Sequence, residues 1–364
     1  MKFRTLNAVV AVLLGFLAAS PASAQSLRRE AEQAQVLMGA AVRAPQLSES
    51  AYAATLSREY NLVEPEDALK WWVVRPSADA LDFQQGDAIV GFALAHGMKV
   101  RGHCLVWGRS NPDWLANGKY SPEQLSQLLR DHIRRVMTHY ADKIFAWDVV
   151  NEALDENGQL RDSIWYNQPG IGFATKGTQY IEQAFRWAHE ADPHALLFYN
   201  EAEGEVLNKK SDAIYAMIKD FRQRGVPIGG VGLQLHVENL TIDAQSLSAN
   251  IARLTSLGLQ VHITELDVSI PTDARGSPLH AEDVARQAEI YRDIAKACLV
   301  NPGCTAIQTW GFTDKYSWIG SHSRGSRGAA LPFDRNYAPK SAYQALILAF
   351  RSLSRANAKH DGKR

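Results

Sequence analysis

The sequence predicts an α/β fold, a single closed (β/α)8 TIM barrel. Three observations carry that prediction: short apolar runs alternate with helix-length amphipathic stretches, the alternation occurs eight times, and no linker interrupts it. The runs are Val36–Val42, Leu62–Trp71, Lys99–Trp107, Ile144–Val150, Ala195–Tyr199, Gly230–His236, Gln260–Leu266 and Ala306–Phe312. Each is nearly continuous in apolar character, as parallel strands buried on both faces require. Between them lie helical patterns. Ser121–His139 opens on a cap-like Ser-Pro-Glu, and Tyr180–Glu190 and Ala281–Ala297 are of the same kind. Strand then helix, repeated eight times, fits a closed parallel barrel better than an open sheet.

The chain has 364 residues, with 46% hydrophobic and 21% charged residues, enough for one large core. At the N-terminus, Lys2 and Arg4 precede an apolar run from Ala8 to Ala19, then Pro21 and Ala22-Ser23-Ala24. That is the layout of a secretory signal peptide over residues 1–24, with cleavage expected after Ala24 and a secreted or periplasmic destination. The run is shorter than the roughly 20 apolar residues of a membrane span, so no membrane contact is expected after cleavage. Residues 25–353 form the expected barrel domain, and 354–364 a polar C-terminal tail. Lys+Arg and Asp+Glu are equal at 39 each, without a basic stripe, which argues against nucleic acid and suits a neutral ligand. A monomer is expected. Cys298 and Cys304 flank a short Leu-Val-Asn-Pro-Gly loop, and an oxidising compartment would favour a disulfide between them. Cys104, in an apolar run, reads as a buried inert thiol.

Barrel enzymes place their chemistry at the carboxyl ends of strands, and here those ends are polar. The fourth run closes on Asn151-Glu152 and the seventh on Thr264-Glu265-Leu266-Asp267. The third carries His103 and Trp107, the fifth ends on Asn200-Glu201, the sixth carries Gln234 and His236, and the eighth Trp310, Thr313 and Asp314. So many polar groups cost free energy unless they pair with each other or with a ligand. Two carboxylates from opposite sides of a barrel mouth are what glycosidic cleavage needs. One is protonated to assist the leaving oxygen, and the other is ionised to attack the anomeric carbon or to activate water. A separation of about 5–5.5 Å gives retention and one of roughly 6.5–9.5 Å gives inversion; the sequence leaves both open.

At these residues the chain resembles a known family. Trp147-Asp148-Val149-Val150-Asn151-Glu152-Ala153 and Ile263-Thr264-Glu265-Leu266-Asp267 resemble the acid/base and nucleophile signatures of glycoside hydrolase family ten, the endo-1,4-β-xylanases. Arg101-Gly102-His103-Cys104-Leu105-Val106-Trp107, Gln234-Leu235-His236 and Trp310 to Trp318 are similar to further family segments, in family order from Val36 to Ala349. The resemblance implies endo-acting, retaining hydrolysis of xylan or xylo-oligosaccharides, with no cofactor and no metal. Glu152 would be the general acid/base and Glu265 the nucleophile. His236, backed by Asp267, would orient Glu265, and Asn151 would bind the sugar 2-OH. Glu66, Lys70, His103, Trp107, Gln234, Trp310 and Trp318 would contact substrate. Fungal members carry a Cys pair before the last strand, as Cys298 and Cys304 stand here.

The chain departs from the family's pattern at Asp67, at Gly108, Arg109 and Ser110 after Trp107, and at Glu201, Ala202 and Glu203 after Asn200. Those sites bear on subsite contacts, chain length and tolerance of side groups, not on the two carboxylates. A β-glucanase or aryl β-glycosidase using the same carboxylates is the alternative reading. A non-catalytic glycan-binding barrel would be favoured had either glutamate been replaced. A metal-dependent hydrolase would need clustered ligands, and neither H-E-x-x-H nor H-x-H occurs.

Overall fold

The computed structural model describes residues 25–109 and 111–361, with side chains described through Ser352. The expected leader, residues 1–24, and Ser110 lie outside the described residues. Eight parallel strands form the barrel: β1 (Leu37–Val42), β2 (Leu62–Pro65), β3 (Lys99–Gly102), β4 (Ala146–Asn151), β5 (Leu196–Glu201), β6 (Gly230–Leu233), β7 (Gln260–Val268) and β8 (Cys304–Thr309). Sequential strands pair in order, and β8 closes the ring by pairing with both β7 and β1, Leu37 facing Ala306. Helices lie between the strands in sequence, as the apolar runs predict.

The ends of three runs differ from expectation, each for a local reason. The second run leaves the sheet at Pro65, which has no N–H to extend a ladder, and Trp71–Val74 is a short helix. The third pauses after Gly102 and resumes as the short extended piece Val106–Trp107 against β4. The sixth breaks where Leu235 takes a left-handed φ of 66°, and His236–Val237 then pairs with the end of β7. These interruptions carry His103, Gln234 and His236, so the breaks sit at the mouth.

The helix Pro122–His139 shows how the sequence builds the outer layer. Ser121 accepts from the Gln124 backbone N–H while the Gln124 side chain caps back, with Pro122 opening the helix. Its buried positions Leu125, Leu129, His132, Ile133 and Val136 make one apolar stripe. His132 is neutralised by burial, its pKa well below the ordinary value, and it stacks on Trp71 with 3.6 Å between ring centroids. Trp71 and Trp165 are core residues, whereas Trp72 is about half exposed. The last helix, Ser341–Asp361, takes in most of the stretch from Ser354 expected to be a polar tail. Cys298 and Cys304 are disulfide-bonded with Cα atoms 5.3 Å apart, and Cys104 is a buried thiol whose pKa burial raises. No described helix is long and apolar enough to cross a membrane.

Candidate active site

One cavity of about 720 Å³ opens at the carboxyl ends of the strands. Every residue expected to touch substrate lines it: Glu66, Lys70, His103, Trp107, Asn151, Gln234, Trp310 and Trp318, together with Glu152, His236 and Glu265. Asp267 lies behind them, bonded to His236. The sequence places these side chains on six different strand ends, and closure of the ring brings them to one mouth.

Glu265 sits on β7 and is almost fully buried. Its Oε1 accepts from Asn200 Nδ2 at 2.8 Å, and its Oε2 lies 3.1 Å from His236 Nε2. The other imidazole nitrogen, Nδ1, is 3.0 Å from Asp267 Oδ2, which also accepts from Trp318 Nε1 at 2.8 Å. Burial opposes charge on His236, but the charge and hydrogen bond of Asp267 and those of Glu265 outweigh it, raising its pKa well above the ordinary value. Burial likewise opposes charge on Glu265. The His236 hydrogen bond, the charges of His103 and His236, and the Asn200 bond outweigh it and hold the carboxyl below its usual range. Glu265 is built to stay ionised.

Glu152 follows β4 directly and takes a left-handed φ of 52°, uncommon for a residue with a side chain. Its backbone N–H is tied to the Asn200 carbonyl at 3.0 Å. Glu152 Oε1 accepts from Gln234 Nε2 at 3.2 Å and Oε2 from Trp107 Nε1 at 3.2 Å. The two carboxylates are joined through amides. Asn200 Nδ2 donates both to Glu265 and to Asn151 Oδ1, the latter at 2.9 Å, and Gln234 reaches the same Asn151 oxygen at 3.3 Å. Asn200 fits because β6 has a glycine beside it: a Cβ at Gly232 would overlap Asn200 Oδ1.

Below the mouth, the barrel interior holds a buried charge cluster. Arg101 pairs with both carboxylate oxygens of Asp148 and with Glu64 Oε2 at 2.7 Å. His103 Nδ1 is 2.9 Å from Asp148 Oδ2, and its pKa is raised because that bond and nearby carboxylates outweigh burial. Glu64, His103 and Asp148 could in principle group around a metal ion, since their ligand atoms lie within 4.8 Å of one another. The Arg101 guanidinium already supplies the counter-charge to both carboxylates there. At the far end of the cavity, Asp67 pairs with Lys70 at 3.1 Å and with Arg43 at 3.3 Å, while Arg43 also holds Glu66. Lys70 Nζ stands 5.1 Å over the Trp107 ring. The Asp at position 67 is thus matched by two cations instead of standing as a free acceptor.

These signatures meet in a named family. The profile of glycosyl hydrolase family 10 matches residues 26–349. The chain belongs to glycosyl hydrolase family 10. It is 43% identical over 298 residues to endo-1,4-beta-xylanase B of Thermotoga neapolitana, covering 81% of this chain and 82% of that protein. The crystal structure of native xylanase 10B from Thermotoga maritima superposes with a TM-score of 0.85 and 39% identity, covering 91% of this chain and all of that one. Xylanase 10B from Thermotoga petrophila RKU-1, solved in complex with xylobiose, superposes equally well at 0.85, with 39% identity and 91% and 98% coverage.

Several residues of this family 10 site carry no assigned role in the sequence reading. Asn200 stood there as a polar strand end, yet it is the amide on which Asn151 and Glu265 both hang. Glu201 is fully buried, accepting from the Leu154 N–H at 3.1 Å and the Tyr199 hydroxyl at 2.6 Å, with Lys210 Nζ at 3.0 Å. It pins the loop that follows Glu152. Glu203 is exposed. Arg101, Asp148 and Glu64 were detectable in principle as charged residues inside apolar strand runs, where only pairing makes them tolerable.

Proposed function

We propose that this chain is an endo-acting β-1,4-xylanase that works by double displacement, with Glu265 as nucleophile and Glu152 as general acid/base. The observation that carries the roles is the difference between the two carboxylates. Glu265 is held ionised by His236 and Asn200, whereas Glu152 receives only neutral N–H donors within hydrogen-bond reach, from Gln234 and Trp107. An ionised, oriented carboxylate suits attack on the anomeric carbon, and a group without a tight cation partner suits proton cycling.

In the first step Glu265 attacks the anomeric carbon, the bond to the leaving oxygen breaks, and Glu152 gives that oxygen its proton. In the second, Glu152 takes a proton from water, the water oxygen attacks the same carbon, and Glu265 is released. Retention at each full cycle is general to the family. Asn151, fixed by Asn200 and Gln234, is placed to bind the sugar 2-OH, and Trp107, Trp310 and Trp318 wall the ring.

The leader over 1–24 and the Cys298–Cys304 disulfide support export to an oxidising compartment, secreted or periplasmic. N-terminal sequencing of the exported protein should begin at Gln25. The catalytic assignment is tested by anomer-resolved NMR on xylan, with soluble cellulose as comparison, and by azide. Glu152→Ala with azide should give a product of retained configuration; an inverted product from that variant would exchange the two roles.

A further inference from the structure

A second cavity of about 420 Å³ lies beside the catalytic one. The two cavities share four lining residues: Asn151, Glu152, Arg109 and Arg161. Two guanidiniums therefore flank the acid/base on the wall between a substrate cleft and a side chamber. Neither is held in a close ion pair. Arg109 is largely exposed, and its nearest carboxylate is Glu152 Oε2 at 3.8 Å. Arg161 is half-buried and donates Nε to the Leu154 carbonyl at 2.8 Å, with no ion pair to any described carboxylate. The chamber also contains Asp155 and Asp162, but these are engaged elsewhere. Asp155 accepts from the backbone N–H groups of Asn157 and Gln159 at 2.9 and 2.8 Å, and Asp162 from Asn167 at 2.5 Å.

An uncharged pentose chain gives two such cations nothing to neutralise. A planar guanidinium is suited to a carboxylate, which it can hold through two parallel hydrogen bonds. Under the reading above, Glu152 protonates the leaving oxygen, so the wall it shares with Arg109 and Arg161 faces the departing sugar. The side chamber has room for a ring branching from that sugar.

We propose that Arg109 and Arg161 form a binding site for the carboxylate of a uronic-acid substituent borne on the leaving-group side of the cleaved bond. This rests on the xylanase reading and deepens it, from xylan in general to acidic, branched xylan.

The test compares two xylo-oligosaccharides of equal length, one bare and one carrying a single glucuronic acid branch, with the methyl ester of the acidic one as a third substrate. The readout is the ratio of kcat/KM for the acidic substrate over the bare one. Arg109→Gln should lower that ratio about tenfold, the usual scale for losing a charge-assisted contact, and the ester should behave like the bare chain in the parent enzyme. Arg161→Gln should act in the same direction, and Arg161→Lys, which keeps a charge and a donor toward Leu154, should recover part of the ratio. An unchanged ratio in Arg109→Gln and Arg161→Gln, or an ester cleaved as fast as the free acid, overturns the arginine site while leaving the xylanase reading intact. Failure of the parent enzyme to cleave the bare oligosaccharide overturns that reading, and this proposal with it.

Discussion

His236→Gln isolates what the imidazole does for the nucleophile. His236 bridges Glu265 at 3.1 Å and Asp267 at 3.0 Å, so it brings both a hydrogen bond and a positive charge to two buried acids. A glutamine keeps a neutral donor of similar reach and loses the charge. The glutamine bond to the ionised Glu265 stays charge-assisted, so what is lost is the attraction of the imidazolium for that carboxylate, about 1 kcal/mol at water-like screening and more in a partly buried site. A loss of about 1 kcal/mol or more corresponds to a roughly fivefold or larger fall in kcat/KM at the optimum. The pH profile is the sharper readout. His236 is among the groups that hold Glu265 below the ordinary carboxylate range, so removing its charge lets the Glu265 pKa rise. The acid limb of kcat/KM should then move to higher pH in the variant, by less than a full return because Asn200 and His103 still act on Glu265. The stability sign runs the opposite way for His236 itself. Its pKa is raised on folding, so its stabilising contribution is complete below the ordinary histidine value and fades as pH rises through the elevated one. The gap in denaturation midpoint between parent and variant should therefore shrink toward alkaline pH. An acid limb that stays in place, with activity merely scaled down, would refute the electrostatic role and leave His236 as packing.

Glu265→Ala should lose nearly all turnover, whereas Glu152→Ala should retain measurable activity on aryl xylosides with good leaving groups; equal losses on such substrates would contradict the acid/base assignment. Gly232→Ala should cut kcat severely, because the added Cβ overlaps Asn200 Oδ1 and displaces the amide on Glu265; a parent-like kcat measured on xylan would show that Asn200 can shift harmlessly. Glu201→Ala leaves Lys210 buried without its carboxylate, so a loss of about 3–5 kcal/mol in chemical denaturation is expected; the paired Glu201→Gln, Lys210→Met change should restore much of it. Replacing Cys298 and Cys304 by Ser should cost about 2 kcal/mol, since the closed loop spans a sequence separation of only 6, with little effect on kcat; a large kcat change would tie the loop to the mouth.

Strand identity was legible because buried parallel strands announce themselves as unbroken apolar runs, and all eight begin within two residues of the expected start, Ala146 after Ile144 and Cys304 before Ala306 being the widest offsets. The second run misled at its end: Ala68, Leu69 and Trp71 are apolar and buried, but they pack into the core after the strand has ended at Pro65. Apolar content alone does not separate a strand from the buried turn that follows it. The site residues were legible through motifs, which record where a side chain sits along the chain but not what it leans on. Asn200 is the clearest case, since its partners Asn151 and Glu265 lie on other strands. Arg109 is another. It reads as a departure from the family's pattern, and only the fold shows it beside Glu152 at the junction of two cavities.

The charge cluster inside the barrel makes sense when joined to the nucleophile above it. Buried ion pairs rarely add stability over an apolar core, because desolvation offsets most of the attraction. Packing therefore gives weak reason to place Arg101, Glu64 and Asp148 where aliphatic side chains would fit. Their arrangement does have an electrostatic consequence. Arg101 fixes Asp148, Asp148 holds His103 at 2.9 Å, and the raised pKa of His103 keeps a positive charge whose field reaches Glu265. Glu265 thus feels two histidinium charges, His236 in direct contact and His103 through its field, each backed by its own aspartate. His103→Asn should accordingly weaken both sugar contact and the hold on Glu265. If its acid limb does not move as that of the His236 variant does, the lower cluster is a structural filling of the barrel and nothing more.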